Sequence, residues 1–356
     1  MRPVLPKDIL TFDRSGMLQK ILEFPDQLLR GWEIENDFQI RIDFPRFRNV
    51  VLGGMGGSAI GGDVVKSLLG SRFPVPFVVN RGYQLPGFVD RDTLFIASSY
   101  SGTTEETLTA TQEAVRRGCS IVCVSSGGKL FEMAKSGGYG LFELPSGYPP
   151  RAALGYSLGV LLAFFHRLGI GEISRDQIVK ASSFLKKIGE AWRRPDHPDN
   201  DSLLLAQRMY GKVPLIYSSG EACEAVGFRW KTQLNENSKT HAFYQSFPEM
   251  NHNEIVGWES LPATQDFSSR CIMVLLRMVD DNPRIRLRMD ITKALVEKRG
   301  GKVLEVIAQG SSFLERLLYL LYLADFVSFY LAVLYGVDPT EIQQIDHLKK
   351  RLSEQS

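Results

Sequence analysis

The sequence predicts an α/β protein of two domains, each a parallel sheet flanked by helices in a three-layer αβα arrangement. Three observations carry this reading. Short apolar runs of strand length alternate with helical patterns, a glycine-rich turn follows the first such run, and the same order of elements returns in the second half. In the first half, strand Val50 to Leu52 leads through GGMGGSAIGGD into a helix. Strands at Val75 to Val79 and Thr93 to Ala97 follow, then a hydroxyl-rich turn, a helix ending near Gly118, strand Ser120 to Val124, and an apolar helix from about Ala152. In the second half, strand Val213 to Tyr217 leads into a helix from about Ala222. Strand Arg270 to Leu276, helix Ile291 to Gly300, strand Lys302 to Ile307 and a long apolar helix after Ser312 complete the copy. The boundaries drawn from this pattern are 1–171 for a first domain with an N-terminal helical extension, 172–211 for a polar helical connector, and 212–356 for a second domain with a C-terminal helix.

The bulk numbers exclude several classes. At 356 residues and 44% hydrophobic content, the chain can bury substantial cores. Lys+Arg 42 against Asp+Glu 40 leaves a formal charge of +2 with no long basic run, which argues against nucleic acid and for a small-molecule partner. Cys119, Cys123, Cys223 and Cys271 show no paired CxxC spacing, and the N-terminus carries no secretory pattern, so we expect a reduced, cytoplasmic protein. The run from Leu317 to Tyr335 is long enough to span a bilayer by hydropathy. Asp325 at its centre, with Glu315 and Arg316 just before it, favours a buried helix over a membrane span.

Two loops carry the chemistry. The stretch SSYSGTTEET, from Ser98 to Thr107, crowds hydroxyls onto a strand-to-helix turn. Ser99, Ser101, Thr103 and Thr104 offer donors there, Gly102 lets the backbone turn, and the following helix adds its unpaired N–H groups. A plain helix cap would need one such hydroxyl, so the turn reads as a cradle for a small phosphate monoester. The earlier glycine loop matches the dinucleotide fingerprint formally, but no acidic residue ends the second strand, where Asn80 and Arg81 stand instead. Arg81 keeps open a nicotinamide cofactor with a 2′-phosphate; the competing use is close backbone approach to a phosphosugar, with Ser58 donating. The second half has RMVDDNPRIR and SSGEACEAVG in the corresponding places, and Asp280 and Asp281 would repel a phosphate.

The GGMGGSAIGGD loop, the SSYSGTTEET turn and the PPRAALGYSLG helix start resemble the sugar isomerase (SIS) domain. Together with NENSKTHAFYQSFPEMNHNEIVGW they resemble the bifunctional phosphoglucose/phosphomannose isomerases, from about Asn49 to the C-terminus. That resemblance implies substrate-phosphate binding by Gly57, Ser58, Ser99, Ser101 and Thr104, with Arg151 beside the sugar. It also implies Glu236 as the isomerisation base and His252 assisting ring opening from the partner subunit of a homodimer. The family further uses a lysine near the C-terminus, for which IDHLKKRL offers Lys349 and Lys350. Ile342, Ile345, Leu348 and Leu352 form an apolar helical stripe on which Lys349 falls while Lys350 points away, so Lys349 is preferred.

The residue types suit the reaction so implied. Moving a proton between C1 and C2 through an enediolate needs a base, a group to stabilise the oxyanion, and an acid/base for ring opening. Alone, Glu236 reads as a solvated glutamate near a helix end and His252 as an incidental loop histidine; their setting in the motif argues otherwise. Arg151, near a helix start where a cation opposes the dipole, makes sense facing an anion. His166 reads as a core histidine in an apolar helix, and no two histidines sit at metal-ligand spacing with a carboxylate, so no metal and no cofactor is expected. A non-catalytic SIS sugar-phosphate sensor is the alternative; an amino-sugar isomerase or transferase is weaker, since a glutamine-dependent one would need an N-terminal cysteine where this chain has MRPVLP.

Overall fold

Apolar runs flanked by turn residues assemble into two all-parallel sheets in the computed structural model, which describes residues 4–38, 42–259 and 261–354. The chain divides into two units. Residues 22–187 and 310–318 make the first; residues 1–21, 188–309 and 319–356 make the second.

Three short helices come first, α1 (Pro6–Phe12), α2 (Met17–Leu22) and α3 (Phe24–Ile34). The first sheet then alternates β1 (Asn49–Gly54), α4 (Gly56–Leu69), β2 (Phe77–Asn80), β3 (Thr93–Ser98), α5 (Glu105–Arg116), β4 (Ser120–Ser125), α6 (Gly128–Gly137) and β5 (Gly140–Glu143). Helices α7 (Leu154–Arg167) and α8 (Arg175–Trp192) follow. Strand order is β2-β1-β3-β4-β5, so the direction of winding reverses between β1 and β3. Every residue of β1 and β3 is buried, as expected where helices cover both faces and the strand is apolar throughout. Pairing sets Gly53 beside Ala97 and Gly54 beside Ser98, which starts the glycine loop and the hydroxyl turn side by side.

The second unit contains α9 (Asp201–Met209), β6 (Val213–Ser219), α10 (Gly220–Ser238), β7 (Phe243–Phe247) and α11 (Gln265–Arg270). It continues with β8 (Cys271–Arg277), α12 (Pro283–Lys298), β9 (Lys302–Ile307), most of α13 (Phe313–Tyr335) and α14 (Gln343–Ser353). Its order, β7-β6-β8-β9, repeats β2-β1-β3-β4 of the first sheet. Strands β7 and β5 were not anticipated from the sequence. Both are edge strands; β7 buries only Phe247 fully, so neither shows the apolar run that marks an inner strand. Residues 172–211 form α8 and α9.

Helix α13 is long and apolar enough to cross a membrane by composition, yet it is buried along nearly its whole length. Its central Asp325 is held inside the second unit. The Asp325 carboxylate accepts from Arg229 Nη2 at 2.9 Å and Gln233 Nε2 at 2.6 Å, one turn apart on α10. Trp230 Nε1 donates to the Leu320 carbonyl at 2.9 Å, and Asn237 Nδ2 to Ser328 Oγ at 3.0 Å. This ladder of four α10 side chains fixes that helix along α13, because each polar group buried there needs its partner.

Candidate active site

The crevice at the carboxyl ends of β1 and β3 is where a sheet of this order offers a ligand site, since the flanking loops diverge there. Ser58, in the first turn of α4, ties the two loops together. Its hydroxyl accepts from the Tyr100 amide at 3.1 Å, and its carbonyl accepts from Ser98 Oγ at 3.2 Å. Ser99 and Thr104 hydroxyls lie 2.9 Å apart, and Ser101 and Thr103 hydroxyls 3.1 Å apart. Thr104 is the N-cap of α5, but its side chain makes no cap bond, so the hydroxyl reaches Ser99 instead of closing the helix end. A plain helix cap therefore does not describe this turn.

Gly102 permits the geometry. Its φ is +64°, and a Cβ there would come within 1.7 Å of the Gly127 carbonyl oxygen, on the loop after β4. Gly57 brings in the third segment: its Cα faces the Pro150 carbonyl and the Arg151 backbone, a built Cβ meeting them at 3.0 and 3.4 Å. Arg151 itself is buried, on a short helical turn (Pro150–Ala152) before α7. The Arg151 backbone thus meets Gly57 beside the Ser58-tied loops that carry Ser99, Ser101 and Thr104, and the hydroxyls and helix N-termini gathered there in the first unit suit an anion.

The N-terminal segment contributes to this corner, although its sequence says little about it. Helix α3 packs directly on α7 where Gly159 faces the Leu28 carbonyl, a Cβ there meeting it at 2.3 Å. From α3, Gln27 Nε2 donates to the Ala152 carbonyl at 2.8 Å, next to Arg151. No periodic signal marks Gln27, because its role depends on a segment 125 residues away.

Arg81, on which the nicotinamide reading depended, forms an ion pair with Asp63 on α4, which competes with a ribose 2′-phosphate for that guanidinium. His166 is exposed near the end of α7 with its ring 5.4 Å from that of Trp32, so it is not the core histidine expected; the buried apolar run ends at Phe165, one residue before it.

The second unit treats the equivalent crevice, between β6 and β8, differently. Asp281 does more than repel an anion there. Its carboxylate is buried, accepting from Ser219 Oγ at 2.6 Å and from the Met278 amide at 2.8 Å, so an internal anion takes the hydroxyl and amide donors. Burial raises its pKa above the usual carboxylate value.

Glu236, His252 and Lys349 all lie in this second unit, on separate elements. Glu236 is half-buried on the last turn of α10. The helix end is capped by Lys239, whose φ is 55° and whose Nζ donates to the Glu236 carbonyl at 2.9 Å and the Asp338 carbonyl at 2.7 Å. His252 is exposed at the end of a short turn (Glu249–His252) after β7. That loop is pinned on both sides: Asn251 Nδ2 donates to Thr292 Oγ1 on α12 at 2.9 Å, and Glu254 Oε1 accepts from the Tyr217 hydroxyl at 2.5 Å. Lys349 and Lys350 are both exposed on α14, which has no buried residue, and Ile345, Leu348 and Leu352 of its apolar stripe are exposed with them. The inward placement used to prefer Lys349 is therefore not seen within the chain. Among the described residues, no group of three or more His, Cys, Asp or Glu side chains is arranged to hold a metal.

Comparison with known proteins places the chain in a family. The chain is 40% identical over 340 residues to the bifunctional phosphoglucose/phosphomannose isomerase of Caldicellulosiruptor bescii, covering 95% of this chain and 99% of that one. The chain belongs to the bifunctional phosphoglucose/phosphomannose isomerase family. The Aquifex aeolicus member is 38% identical over 311 residues, 87% of this chain and 92% of its own. The profile of the bacterial phospho-glucose isomerase C-terminal SIS domain matches residues 198–352. Among solved structures, tagatose-6-phosphate ketose/aldose isomerase from Escherichia coli has a TM-score of 0.70 at 15% identity, covering 96% of this chain and 99% of that one. At that identity the likeness shows the shared SIS fold alone. The two-sheet α/β architecture expected from the sequence is the one found.

Proposed function

We propose that this member of the family is an aldose–ketose isomerase that interconverts glucose 6-phosphate and mannose 6-phosphate with fructose 6-phosphate by metal-free proton transfer. The observation that carries this is the convergence of two Ser58-stitched loops and the buried Arg151 at the β1/β3 crevice, in a chain of isomerase relatives. The phosphate sits among Gly57, Ser58, Ser99, Ser101 and Thr104. Arg151 stabilises the enediolate oxyanion, and Glu236 carries the proton between C1 and C2. His252 assists ring opening, and the active-site lysine comes from α14, as Lys349 or Lys350. Glucose and mannose phosphates differ only at C2, and removing the C2 proton erases that difference, so one enediolate serves both.

The exposure of His252 on a pinned loop supports its contribution to the site of a second copy in a homodimer. The four cysteines are free thiols, which suits a reducing cytoplasm and an enzyme of glycolysis and gluconeogenesis. A sugar-phosphate sensor would have no catalytic need for Glu236. A coupled assay on purified protein, feeding each hexose 6-phosphate with and without a chelator, decides the matter. Turnover of all three that survives the chelator is expected; no turnover of fructose 6-phosphate overturns the isomerase, and chelator sensitivity overturns the metal-free mechanism. Glu236→Gln should lower kcat at least ~100-fold, the low end for losing a positioned base, with phosphosugar affinity kept. A variant that retains full activity disqualifies Glu236.

A further inference from the structure

Among the small hydroxyl residues of the phosphate turn stands one large side chain, Tyr100, buried between Ser99 and Ser101. Its backbone belongs to the cradle: the amide donates to Ser58 Oγ at 3.1 Å, and the carbonyl accepts from the Ser126 amide at 3.0 Å and Ser126 Oγ at 2.6 Å. Its ring leaves the turn and reaches the segment that leads to Arg151. There the Tyr100 hydroxyl donates to the Pro145 carbonyl at 2.7 Å and accepts from the Tyr148 amide at 3.1 Å, satisfying both of its hydrogen-bonding roles on one loop. The far side of that loop is held as well, because the Tyr148 hydroxyl donates to Glu23 Oε2 at 2.6 Å. Pro149, Pro150 and Arg151 follow directly. The two prolines stiffen the short path from Tyr148 to the guanidinium, so a shift at Tyr148 is passed on to Arg151.

We infer that Tyr100 is a positioning residue, a strut that sets the distance between the phosphate-binding turn and Arg151 so that a phosphosugar held by the turn presents its reacting carbons to the guanidinium. This rests on the roles proposed above for the turn and for Arg151. A strut of this kind does nothing for the phosphate itself. It fixes how far along the sugar the cation stands, which matters only when both ends of the ligand are held.

Tyr100→Phe tests this, since it keeps the buried ring and removes only the hydroxyl. Two hydrogen bonds to the loop are lost, and kcat on fructose 6-phosphate should fall on the order of tenfold. The affinity for inorganic phosphate, measured by calorimetry, should stay within about twofold, because the backbone contacts of the cradle are untouched. In an Arg151→Lys background, the same substitution should add little further loss. Should Tyr100→Phe not fold, Tyr148→Phe cuts the Glu23 bond of the same loop and carries the same expectation. An unchanged kcat, a parallel loss of phosphate affinity, or a full multiplicative loss in the Arg151→Lys background overturns the strut. A wild-type protein without isomerase activity instead overturns the proposed function, and with it the strut's catalytic purpose; calorimetry still reports phosphate binding in that case.

Discussion

Replacing Gly102 by alanine probes the cradle at its tightest point. The added Cβ would lie 1.7 Å from the Gly127 carbonyl oxygen, where real Cβ atoms keep at least 3.0 Å, so the two backbones must separate by about 1.3 Å. Neither side is loose. The Gly102 carbonyl accepts from the Leu130 amide at 2.9 Å, and the Gly127 carbonyl accepts from Ser125 Oγ at 2.8 Å. Alanine at a φ of +64° adds its own strain of about 1–2 kcal/mol. One broken hydrogen bond adds about 1 kcal/mol, for a stability loss of about 2–3 kcal/mol. The functional effect should be larger than this suggests. A displacement of about 1 Å in a substrate-positioning element costs on the order of 100-fold in rate, and Ser101 and Thr103 flank the displaced residue. The measurements are kcat/KM for fructose 6-phosphate by coupled assay and the midpoint of urea unfolding. A Gly102→Ala protein whose kcat/KM stays within about threefold of wild type, less than 1 kcal/mol of lost binding, would refute the assignment of this turn as the phosphate anchor.

Two further predictions concern the second unit. Asp325→Ala removes the carboxylate to which Arg229 and Gln233 donate, leaving a buried guanidinium without that partner, and should cost about 3–5 kcal/mol of stability by urea unfolding; a loss below 1 kcal/mol would show that the pair is not what holds α10 on α13. Burial raises the pKa of Asp281 above the usual carboxylate value, so the folded state binds its proton more tightly than the unfolded chain. Its contribution to stability is therefore greatest below that value and declines as pH rises through the folded pKa. The stability of wild type relative to Asp281→Asn should fall with rising pH across this window, and a pH-independent difference would count against the raised value.

Much of the fold could be read from the sequence because its signals are local. Val50 to Leu52 and Thr93 to Ala97 are apolar through their length since both sheet faces are covered, and the loops after them announce their chemistry by composition. The edge strands escaped the same test. Phe243 to Phe247 is mostly half-exposed, so its pairing with β6, rather than its own pattern, makes it a strand. The hydroxyls of the Ser98 to Thr107 turn stand out in the sequence as a group, whereas Gln27 and Tyr100 do not, since what marks each is a hydrogen bond to a distant segment.

By itself, then, the sequence determined the alternation of strands and helices, the hydroxyl turn at Ser98 to Thr107, and a family resemblance that named Glu236, His252 and Arg151. Tertiary structure alone decided that Ser58 stitches the two loops, that Arg81 is taken up by Asp63, and that Asp281 fills the crevice of the second sheet. The division has a physical cause. Periodicity and turn chemistry are set by neighbours along the chain, while the partner of a buried polar group is set by which segments the parallel sheets bring side by side.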